Sequence, residues 1–270
     1  MNTTQPNPDS AALSARLQLA VQAARQAGQI TLEHYQSTSL QVDRKSDDSP
    51  VTIADRRAEL FLREQISAAF ADDAILGEEF PDHQGTSGYR WILDPIDGTK
   101  SFIHGVPLYG TLIGVEHAGQ SQIGVIHIPV LDESVYAACG QGAWYSAHGA
   151  PPQPARVSSC TRLAEGLFLT SEVRSFDQIG RRAAYDRLQA EARLTRTWGD
   201  CYGYLMIATG RADVMVDPLM NVWDAAALLP ILEEAGGVFT DWNGQRTIYS
   251  GNGIGTNHAL LDAVLAITKG

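Results

Sequence analysis

Cysteine is scarce in this sequence, and its few thiols are poorly placed for a shared structural role. The 270 residues include three cysteines, Cys139, Cys160 and Cys201. They are far apart and odd in number, so neither a disulfide framework nor a CxxC metal site is indicated. A reducing compartment fits this pattern best, and we expect a cytoplasmic protein.

Positive charge is also in short supply. Lys and Arg together number 20 against 31 Asp and Glu, which gives a net charge of −11. Nucleic acids and anionic membranes are bound through basic surfaces, so neither is expected as a partner. An anionic small substrate remains compatible with this composition if metal ions supply the positive charge.

Long apolar runs are missing as well. No stretch of the sequence approaches the ~18 consecutive apolar residues of a membrane-spanning helix. Residues 1–10 are polar and lack the basic and apolar parts of a signal peptide. We therefore expect a disordered start at residues 1–10 and no membrane association.

What the sequence does contain is ample material for a core. Hydrophobic residues make up 44% of the chain and charged residues 19%, which is ordinary for a globular protein. Apolar periodicity predicts helices over residues 11–36 and 56–70. From residue 108 onward, apolar or alternating runs separated by glycine-containing turns predict an antiparallel sheet.

A proline-rich segment at residues 150–155 is the best candidate for a boundary between two halves. The N-terminal α+β half would span residues 11–152 and the C-terminal α/β half residues 153–270. In the second half short strands alternate with helices, which predicts a layered α/β architecture.

One stretch, residues 91–102 (WILDPIDGTKSF), combines a buried strand with two carboxylates and a helix start. Pro95 is predicted to stop ladder pairing after Asp94, and Asp97 is a suitable N-cap for the helix that follows. A helix start holds anions such as phosphate, and two close carboxylates attract a hard cation such as Mg²⁺. Alternatively, Asp94 and Asp97 are only turn formers, since Asp-Pro and Asp-Gly are common turn dipeptides.

Further acids occupy similar places along the chain. Asp55 stands at the start of a predicted helix, the pair Glu78 and Glu79 follows a short strand at residues 74–77, and Asp224 opens an apolar helix. Individually, these acids are also compatible with helix-dipole interactions or with a solvated surface. If they converge on one place, their mutual repulsion requires divalent cations between them.

Several motifs in order resemble the inositol monophosphatase superfamily of magnesium-dependent, lithium-sensitive phosphomonoesterases. They are PVTIAD at residues 50–55, EE at 78–79, DPIDGT at 94–99, WDAAA at 223–227 and EAGG at 234–237. The resemblance covers residues 11–265, nearly the whole chain. It implies a layered αβαβα fold, with the active site between an α+β half and an α/β half, and it implies a homodimer.

The same resemblance implies the ligands of two or three Mg²⁺ ions and the residues of the reaction. By motif, the metal ligands would be Glu78, Asp94, Asp97, Asp224 and the main-chain carbonyl of Ile96. Asp55 would hold the more weakly bound ion through water. Thr99, assisted by Asp55 and Glu78, would orient and help deprotonate the attacking water, which the metal activates. The N–H groups of Gly98 and Thr99 would hold the phosphate, and Lys45 or the adjacent Arg44 would close over the site from a mobile loop.

Residues around the leaving group indicate which phosphate ester is used. The segments RTWGDCYGY at 196–204, WDAAALLPI at 223–231 and FTDW at 239–242 resemble the histidinol-phosphatase branch of the family. Asp200 would bind the ammonium of L-histidinol phosphate by charge-assisted hydrogen bonds. Asp217 matches an acid that contacts the alcohol in relatives, and Arg196 is a further candidate for substrate contact. A plain helix N-cap is the alternative role for Asp200.

Other functions stay open at this point. The same chemistry on inositol monophosphates, or on a broad range of sugar or nucleotide phosphates, is the nearest rival, and Asp200 and Tyr202 would discriminate. An inactive family member acting as a binding protein is a more distant alternative. His104 lies just after the phosphate turn, where it would either touch substrate or remain in a solvated loop.

Overall fold

The computed structural model describes residues 9–38, 41–44 and 50–269. Its helices are α1 (Ser10–Leu32), α2 (Ile53–Ala69), α3 (Thr99–Ile103), α4 (Val173–Gln178), α5 (Arg182–Glu191), α6 (Asp200–Ala208), α7 (Val222–Ala225), α8 (Leu228–Glu234) and α9 (His258–Thr268). Of the predicted disordered start, Asp9 caps α1 through its side chain and Ser10 begins the helix. Residues 1–8 and Lys45 lie outside the described residues.

The strands form two large sheets and one small ribbon. They are β1 (Val42–Arg44), β2 (Pro50–Thr52), β3 (Ala74–Gly77), β4 (Tyr89–Asp97), β5 (Gly110–His117), β6 (Gln120–Ile128), β7 (Glu133–Ala138), β8 (Ala143–Ala147), β9 (Gln153–Pro154), β10 (Leu167–Leu169), β11 (Leu194–Arg196), β12 (Val214–Asp217), β13 (Gly237–Thr240) and β14 (Gly253–Asn257). The seven-stranded sheet runs in the order β3 to β9, and the five-stranded sheet in the order β11-β10-β12-β14-β13. The antiparallel sheet predicted from residue 108 onward is confirmed as β5 to β9. Strand β4 extends it by antiparallel pairing with β5, whereas β3 pairs with β4 in parallel.

Three of the apolar clusters among the described residues lie between the helix and sheet layers. Helices α1 and α2 cover one face of the seven-stranded sheet, where Leu62 packs with Trp91 and Val125. Helices α6 to α8 fill the space between the two sheets, with Leu229 among their core residues. Helices α4, α5 and α9 cover the outer face of the five-stranded sheet, where Phe168 is buried. The layers therefore alternate as αβαβα, as the resemblance implied.

The chain leaves the seven-stranded sheet after β9, close to the proline-rich segment. The division at residues 152 and 153 stays a prediction, and Gln153 and Pro154 themselves complete the first sheet. Within the described residues, no helix is both long and apolar enough to cross a membrane.

Two local predictions around the central strand are wrong. Strand β4 does not end at Asp94: pairing with β5 skips Pro95 and Ile96 and resumes at Asp97, with a shift in register between Asp94 and Asp97. Proline has no N–H to donate, and a bulge accommodates it without ending the strand. The N-cap of α3 is Gly98 rather than Asp97, at φ +83°, a backbone conformation that glycine adopts without strain.

Candidate active site

Three carboxylates from distant parts of the sequence meet at the end of β4. One oxygen each from Asp94, Asp97 and Asp224 lies within 4.8 Å of the others. Asp94 and Asp97 flank the bulge of β4, and Asp224 lies in the first turn of α7. Asp224 is held by a capping box, in which the Asn221 N–H donates to its Oδ2 at 2.6 Å. The predicted convergence of these acids is thus present in the fold.

Asp55 approaches the same place from the start of α2. Its Oδ2 accepts hydrogen bonds from the Thr52 N–H at 2.8 Å and the Thr52 hydroxyl at 2.6 Å. Its Oδ1 is buried and has no hydrogen-bond partner among the described residues. The helix-capping role and the predicted role near a metal are therefore compatible, because they use different oxygens of one carboxylate. A buried acceptor in this state is suited to bind a proton, a cation or a cation-bound water.

The carboxylates of this cluster share a high proton affinity. Burial raises the pKa of Asp94 well above its usual range, and the neighbouring Glu78, Asp97 and Asp224 raise it further. Burial likewise raises the pKa of Asp224 to about 7 and that of Asp55 to about 7. Such a concentration of buried negative charge is unfavourable unless protons or cations neutralise it.

The donor set fits a hard divalent cation. Its atoms are carboxylate oxygens, the ligands that Mg²⁺ prefers. A soft donor near the acids is the thiol of Cys201, a residue whose main-chain N–H donates a hydrogen bond to Asp97 Oδ2. Burial raises the pKa of this thiol well above its usual range, so it stays protonated and is a poor metal ligand.

Glu78 follows β3 and lies close enough to Asp94 to raise its pKa. Its N–H donates to the Leu93 carbonyl at 3.3 Å, which continues the pairing of β3 with β4 by one residue. The next residue, Glu79, donates its N–H to a buried carboxylate of α2, Glu59, at 2.7 Å. Sequence analysis missed Glu59. Glu59 is four residues after Asp55, so the two side chains lie on one face of α2. This spacing is the feature of the sequence that could have indicated Glu59 as a residue of the site.

Thr99 begins α3, directly after the bulge. Its hydroxyl donates to the Ile96 carbonyl, a predicted metal ligand, at 3.1 Å. The hydroxyl hydrogen is thereby used in a hydrogen bond, while the lone pairs of Thr99 Oγ1 remain able to accept a hydrogen bond from water. The structure thus brings Thr99 and Ile96 together beside Asp94 and Asp97.

Asp200, the first residue of α6, lies opposite the turn at Gly98 and Thr99, which is called the phosphate turn because its N–H groups are expected to hold the phosphate. A Cβ built on Gly98 would lie 2.9 Å from Asp200 Oδ2, so the carboxylate lies directly against that glycine. Asp200 has φ +51°, a left-handed conformation that is uncommon for residues other than glycine. It does not take the alternative role of helix N-cap, since Gly199 holds that position and Asp200 is the first residue of α6.

A second buried acid holds Asp200 in place through a serine. The Asp200 N–H donates to Ser171 Oγ at 2.8 Å, and that hydroxyl donates to Asp217 Oδ2 at 3.0 Å. Asp217 also accepts from the Ser171 N–H at 2.8 Å and from the hydroxyls of Tyr204 at 3.1 Å and Thr170 at 3.3 Å. The oxygens of Asp217 are therefore engaged inside the protein. Ser171, at the carboxyl end of β10, was missed by sequence analysis.

Two neighbouring cavities meet at Asp200. The smaller, about 70 Å³, is bordered by Asp97, Asp224 and Asp217. The larger, about 700 Å³, is bordered by Trp198 and by Lys100 and Glu172, whose charged groups pair at 2.7 Å. Ser171, Asp200 and Leu219 line both cavities. A phosphate ester therefore has space for its phosphate near the acids and for its alcohol beyond Asp200.

Other candidates lie away from these cavities. Arg196 is exposed at the end of β11, where it donates to the Thr195 carbonyl at 2.7 Å and its Cζ lies 6.0 Å from the centre of the Trp198 ring. His104 is exposed, and its Nδ1 lies 2.8 Å from the Lys100 carbonyl oxygen. The Tyr202 ring packs against Arg211, with 5.6 Å from Cζ to the ring centre. Within the described chain, none of the three lines either cavity.

Comparisons with known proteins agree with this geometry. The model of the inositol monophosphatase family matches residues 12–269. A histidinol-phosphatase of Chlorobaculum parvum is 46% identical over 90% of this chain and 93% of its own length. One of Mycobacterium tuberculosis is 36% identical over 92% of this chain and 96% of its own.

Solved structures show the same fold. The structure of an IMPase of Thermotoga maritima superposes with a TM-score of 0.84 at 30% identity, covering 94% of this chain and 97% of the other. Members of the family are generally magnesium-dependent, and the acidic cluster described above is present here. The chain is therefore a phosphoric monoester hydrolase that belongs to the inositol monophosphatase family.

Proposed function

We propose that this protein hydrolyses L-histidinol phosphate to L-histidinol and phosphate, a step of histidine biosynthesis, with Mg²⁺ as its cofactor. The position of Asp200 carries this proposal, because it places an acid between the phosphate turn and the larger cavity. The names of the two relatives described above lend independent support. Two or three Mg²⁺ ions, a homodimeric state and a cytoplasmic location belong to the same proposal.

Asp200 is suited to bind an ammonium group. The pKa of its carboxyl is raised to about 6, because burial and then the charge of Asp217 raise it more than the Lys100 ammonium lowers it. With that pKa, most of the carboxyl is ionised at pH 7 and higher. A charge-assisted hydrogen bond to a substrate ammonium is roughly twice as strong as a neutral one. Since Asp217 is engaged by protein donors, we assign it the support of Ser171 and Asp200 in place of direct contact with the ammonium.

The magnesium ions would be held by Glu78, Asp94, Asp97 and Asp224, with the Ile96 carbonyl and, through water, Asp55. Bound Mg²⁺ supplies positive charge to the phosphate oxygens and lowers the pKa of water. Thr99 Oγ1 orients the attacking water, and Asp55 Oδ1 is the buried acceptor that accounts for its proton. The N–H groups of Gly98 and Thr99 hold the phosphate.

The reaction consists of one displacement at phosphorus. The water oxygen forms a bond to phosphorus while the ester P–O bond breaks, and the departing alkoxide takes a proton from solvent to become histidinol. Phosphate is the other product. No side chain forms a covalent intermediate, in accord with the absence of a Cys or His at any of the family motif positions.

Inositol monophosphates, or a broad range of sugar or nucleotide phosphates, are the second candidate class of substrate. The similarity to the Thermotoga maritima IMPase structure favours it. Both candidates use the same acids and differ in what the larger cavity binds, so substrate comparison decides between them.

The test measures phosphate release from histidinol phosphate and inositol 1-phosphate side by side in the presence of Mg²⁺. We expect kcat/KM to favour histidinol phosphate by about a hundredfold or more, which corresponds to ~2.7 kcal/mol of differential transition-state binding. Similar or reversed values would remove the assignment of Asp200 and leave the metal chemistry in place.

Asp200→Asn is the decisive variant. Asparagine tolerates the left-handed conformation of residue 200 and retains the side-chain volume, so only the charge is lost. We expect kcat/KM to fall for histidinol phosphate and to stay unchanged for inositol 1-phosphate. An equal loss on both substrates would assign Asp200 a structural role instead.

A further inference from the structure

Glu59 lies outside the predicted metal ligands but holds the turn that carries one of them. Its side chain is 0% exposed and projects from α2 one turn after Asp55. Glu59 Oε2 accepts the Glu79 N–H at 2.7 Å, and Oε1 accepts the Phe80 N–H at 3.2 Å. Both donors follow Glu78 directly in the chain, so this carboxylate fixes the backbone on the C-terminal side of Glu78.

Arg63 completes the arrangement. Its Nε donates to Glu59 Oε1 at 2.7 Å, and its Nη2 donates to the Phe80 carbonyl at 2.9 Å. The guanidinium thus binds both the carboxylate and the turn that the carboxylate holds. A buried carboxylate with a paired cation and satisfied oxygens can remain charged, which an isolated one cannot.

The strand before Glu78 leaves room for this carboxylate only because it ends in glycine. A Cβ built on Gly77 would lie 2.0 Å from Glu59 Oε1, so any other residue would displace the carboxylate. On the other side, the Gly77 backbone pairs with Leu93 of β4. Glu78 is therefore held between strand pairing to the segment that bears Asp94 and a carboxylate from the helix that bears Asp55.

We propose that Glu59, supported by Arg63, is a positioning residue that sets Glu78 for metal binding and links it to Asp55 through α2. This inference rests on the proposed function only in taking Glu78 as a metal ligand, and it is independent of which phosphate ester is hydrolysed. Partners behind metal ligands commonly matter on the order of 10- to 100-fold in metal affinity.

Glu59→Gln tests the proposal with little change in shape. The glutamine amide presents one acceptor and one donor in place of two acceptors, so one N–H of the site faces another donor. Mn²⁺ binding to the substrate-free protein is measured by electron paramagnetic resonance of the free ion. We expect the Mn²⁺ dissociation constant to rise on the order of tenfold or more.

Asp73→Asn is the matched control. Asp73 is also a buried carboxylate paired with an arginine, Arg16, at 2.8 Å, and it accepts from the side chains of Ser87 and Trp91. The side-chain exposures of the two ion pairs are similar, 10% and 1% for Arg16 and Asp73 against 13% and 0% for Arg63 and Glu59. We expect Asp73→Asn to destabilise the fold and to leave Mn²⁺ affinity within twofold of the unmodified chain at equal folded fraction.

Glu78→Gln distinguishes a failure of the metal-ligand assignment of Glu78 from a failure of the positioning role of Glu59. If this variant binds Mn²⁺ normally, the assignment of Glu78 as a metal ligand fails. If Glu78→Gln weakens Mn²⁺ binding and Glu59→Gln does not, the positioning role of Glu59 is refuted. The same role is refuted if Asp73→Asn weakens Mn²⁺ binding as much as Glu59→Gln does. If Glu59→Gln does not fold, Arg63→Gln takes its place, because it keeps the Glu59 carboxylate and both N–H donors of the turn and removes only the supporting guanidinium. A Mn²⁺ dissociation constant of Arg63→Gln within twofold of the unmodified chain would overturn the proposal.

Discussion

Removing the metal should make the stability of this protein depend on pH in an unusual direction. The pKa of Asp55 is raised from 3.8 to about 7 in the folded chain, with burial as the main cause. A carboxyl with a raised pKa stabilises the fold while it is protonated, and this contribution is lost as the pH rises through the folded-state pKa. The metal-free protein should therefore lose stability between pH 5.5 and pH 8.

The magnitude follows from the linkage relation. For one carboxyl with pKa values of 3.8 unfolded and about 7 folded, raising the pH from 5.5 to 8 costs ~2 kcal/mol of unfolding free energy. Asp224, with a pKa raised to about 7, adds a comparable loss. If Mg²⁺ binds the folded chain as proposed, it should stabilise the fold, most strongly where the carboxylates are ionised.

His127 acts in the opposite direction. Burial lowers its pKa from 6.5 to about 4, so it destabilises the fold by ~1 kcal/mol at pH 5.5 relative to pH 8. Asp55→Asn isolates the carboxyl, because this variant keeps His127 and replaces only the titrating group. The difference between the two proteins in the pH dependence of stability should be ~2 kcal/mol.

The assay is urea denaturation with a chelator at pH 5.5 and pH 8, repeated with saturating Mg²⁺. The metal-free unmodified chain should lose more stability than Asp55→Asn between the two pH values, and Mg²⁺ should reverse the loss. Identical pH dependence of the two metal-free proteins would refute the reasoning, since Asp55 would then not be protonated in the folded chain.

Three further predictions concern single residues. Asp94→Asn should lower the rate of phosphate release by at least a hundredfold, as loss of a group of the metal site implies, without unfolding the protein as judged by circular dichroism. Asp73→Ala should cost ~3–5 kcal/mol in urea denaturation, because Arg16 is left buried without its partner, and kcat/KM of the folded fraction should not change. Asp200→Gly should raise stability by ~1 kcal/mol by removing backbone strain, while any preference for an aminated substrate falls.

The parts of the fold that sequence could predict are those with strong local patterns. Apolar periodicity indicated α1 and α2, and the run of residues 91–93 indicated the centre of β4. The ends of these elements were less accessible. Pro95 reads locally as a strand terminator, yet β4 resumes pairing at Asp97 because β5 continues alongside it and Thr111 donates to the Pro95 carbonyl at 2.9 Å.

The residues of the candidate site likewise fall into those that sequence motifs indicated and those that they did not. The acids proposed to bind metal could be predicted from the sequence because they lie in compact motifs. Glu59 and Ser171 were not, because each acts through main-chain N–H groups of residues distant in the sequence: 20 positions away for Glu79 and 29 for Asp200. A hydrogen bond to a main-chain N–H requires no particular side chain on the donor residue, so it leaves no motif.

The acids proposed for the reaction and the residues proposed for substrate choice lie in different elements of the fold. The acids proposed to bind metal lie in α2, directly after β3, in β4 and in α7, whereas Asp200 lies in α6, Ser171 shortly after β10 and Asp217 in β12. The two sets touch where the Cys201 N–H donates to Asp97 and where Asp200 lies against Gly98. If Asp200 binds the alcohol as proposed, a change at residue 200 should alter which alcohol is bound without disturbing the acids, and relatives with different substrates could share one catalytic arrangement.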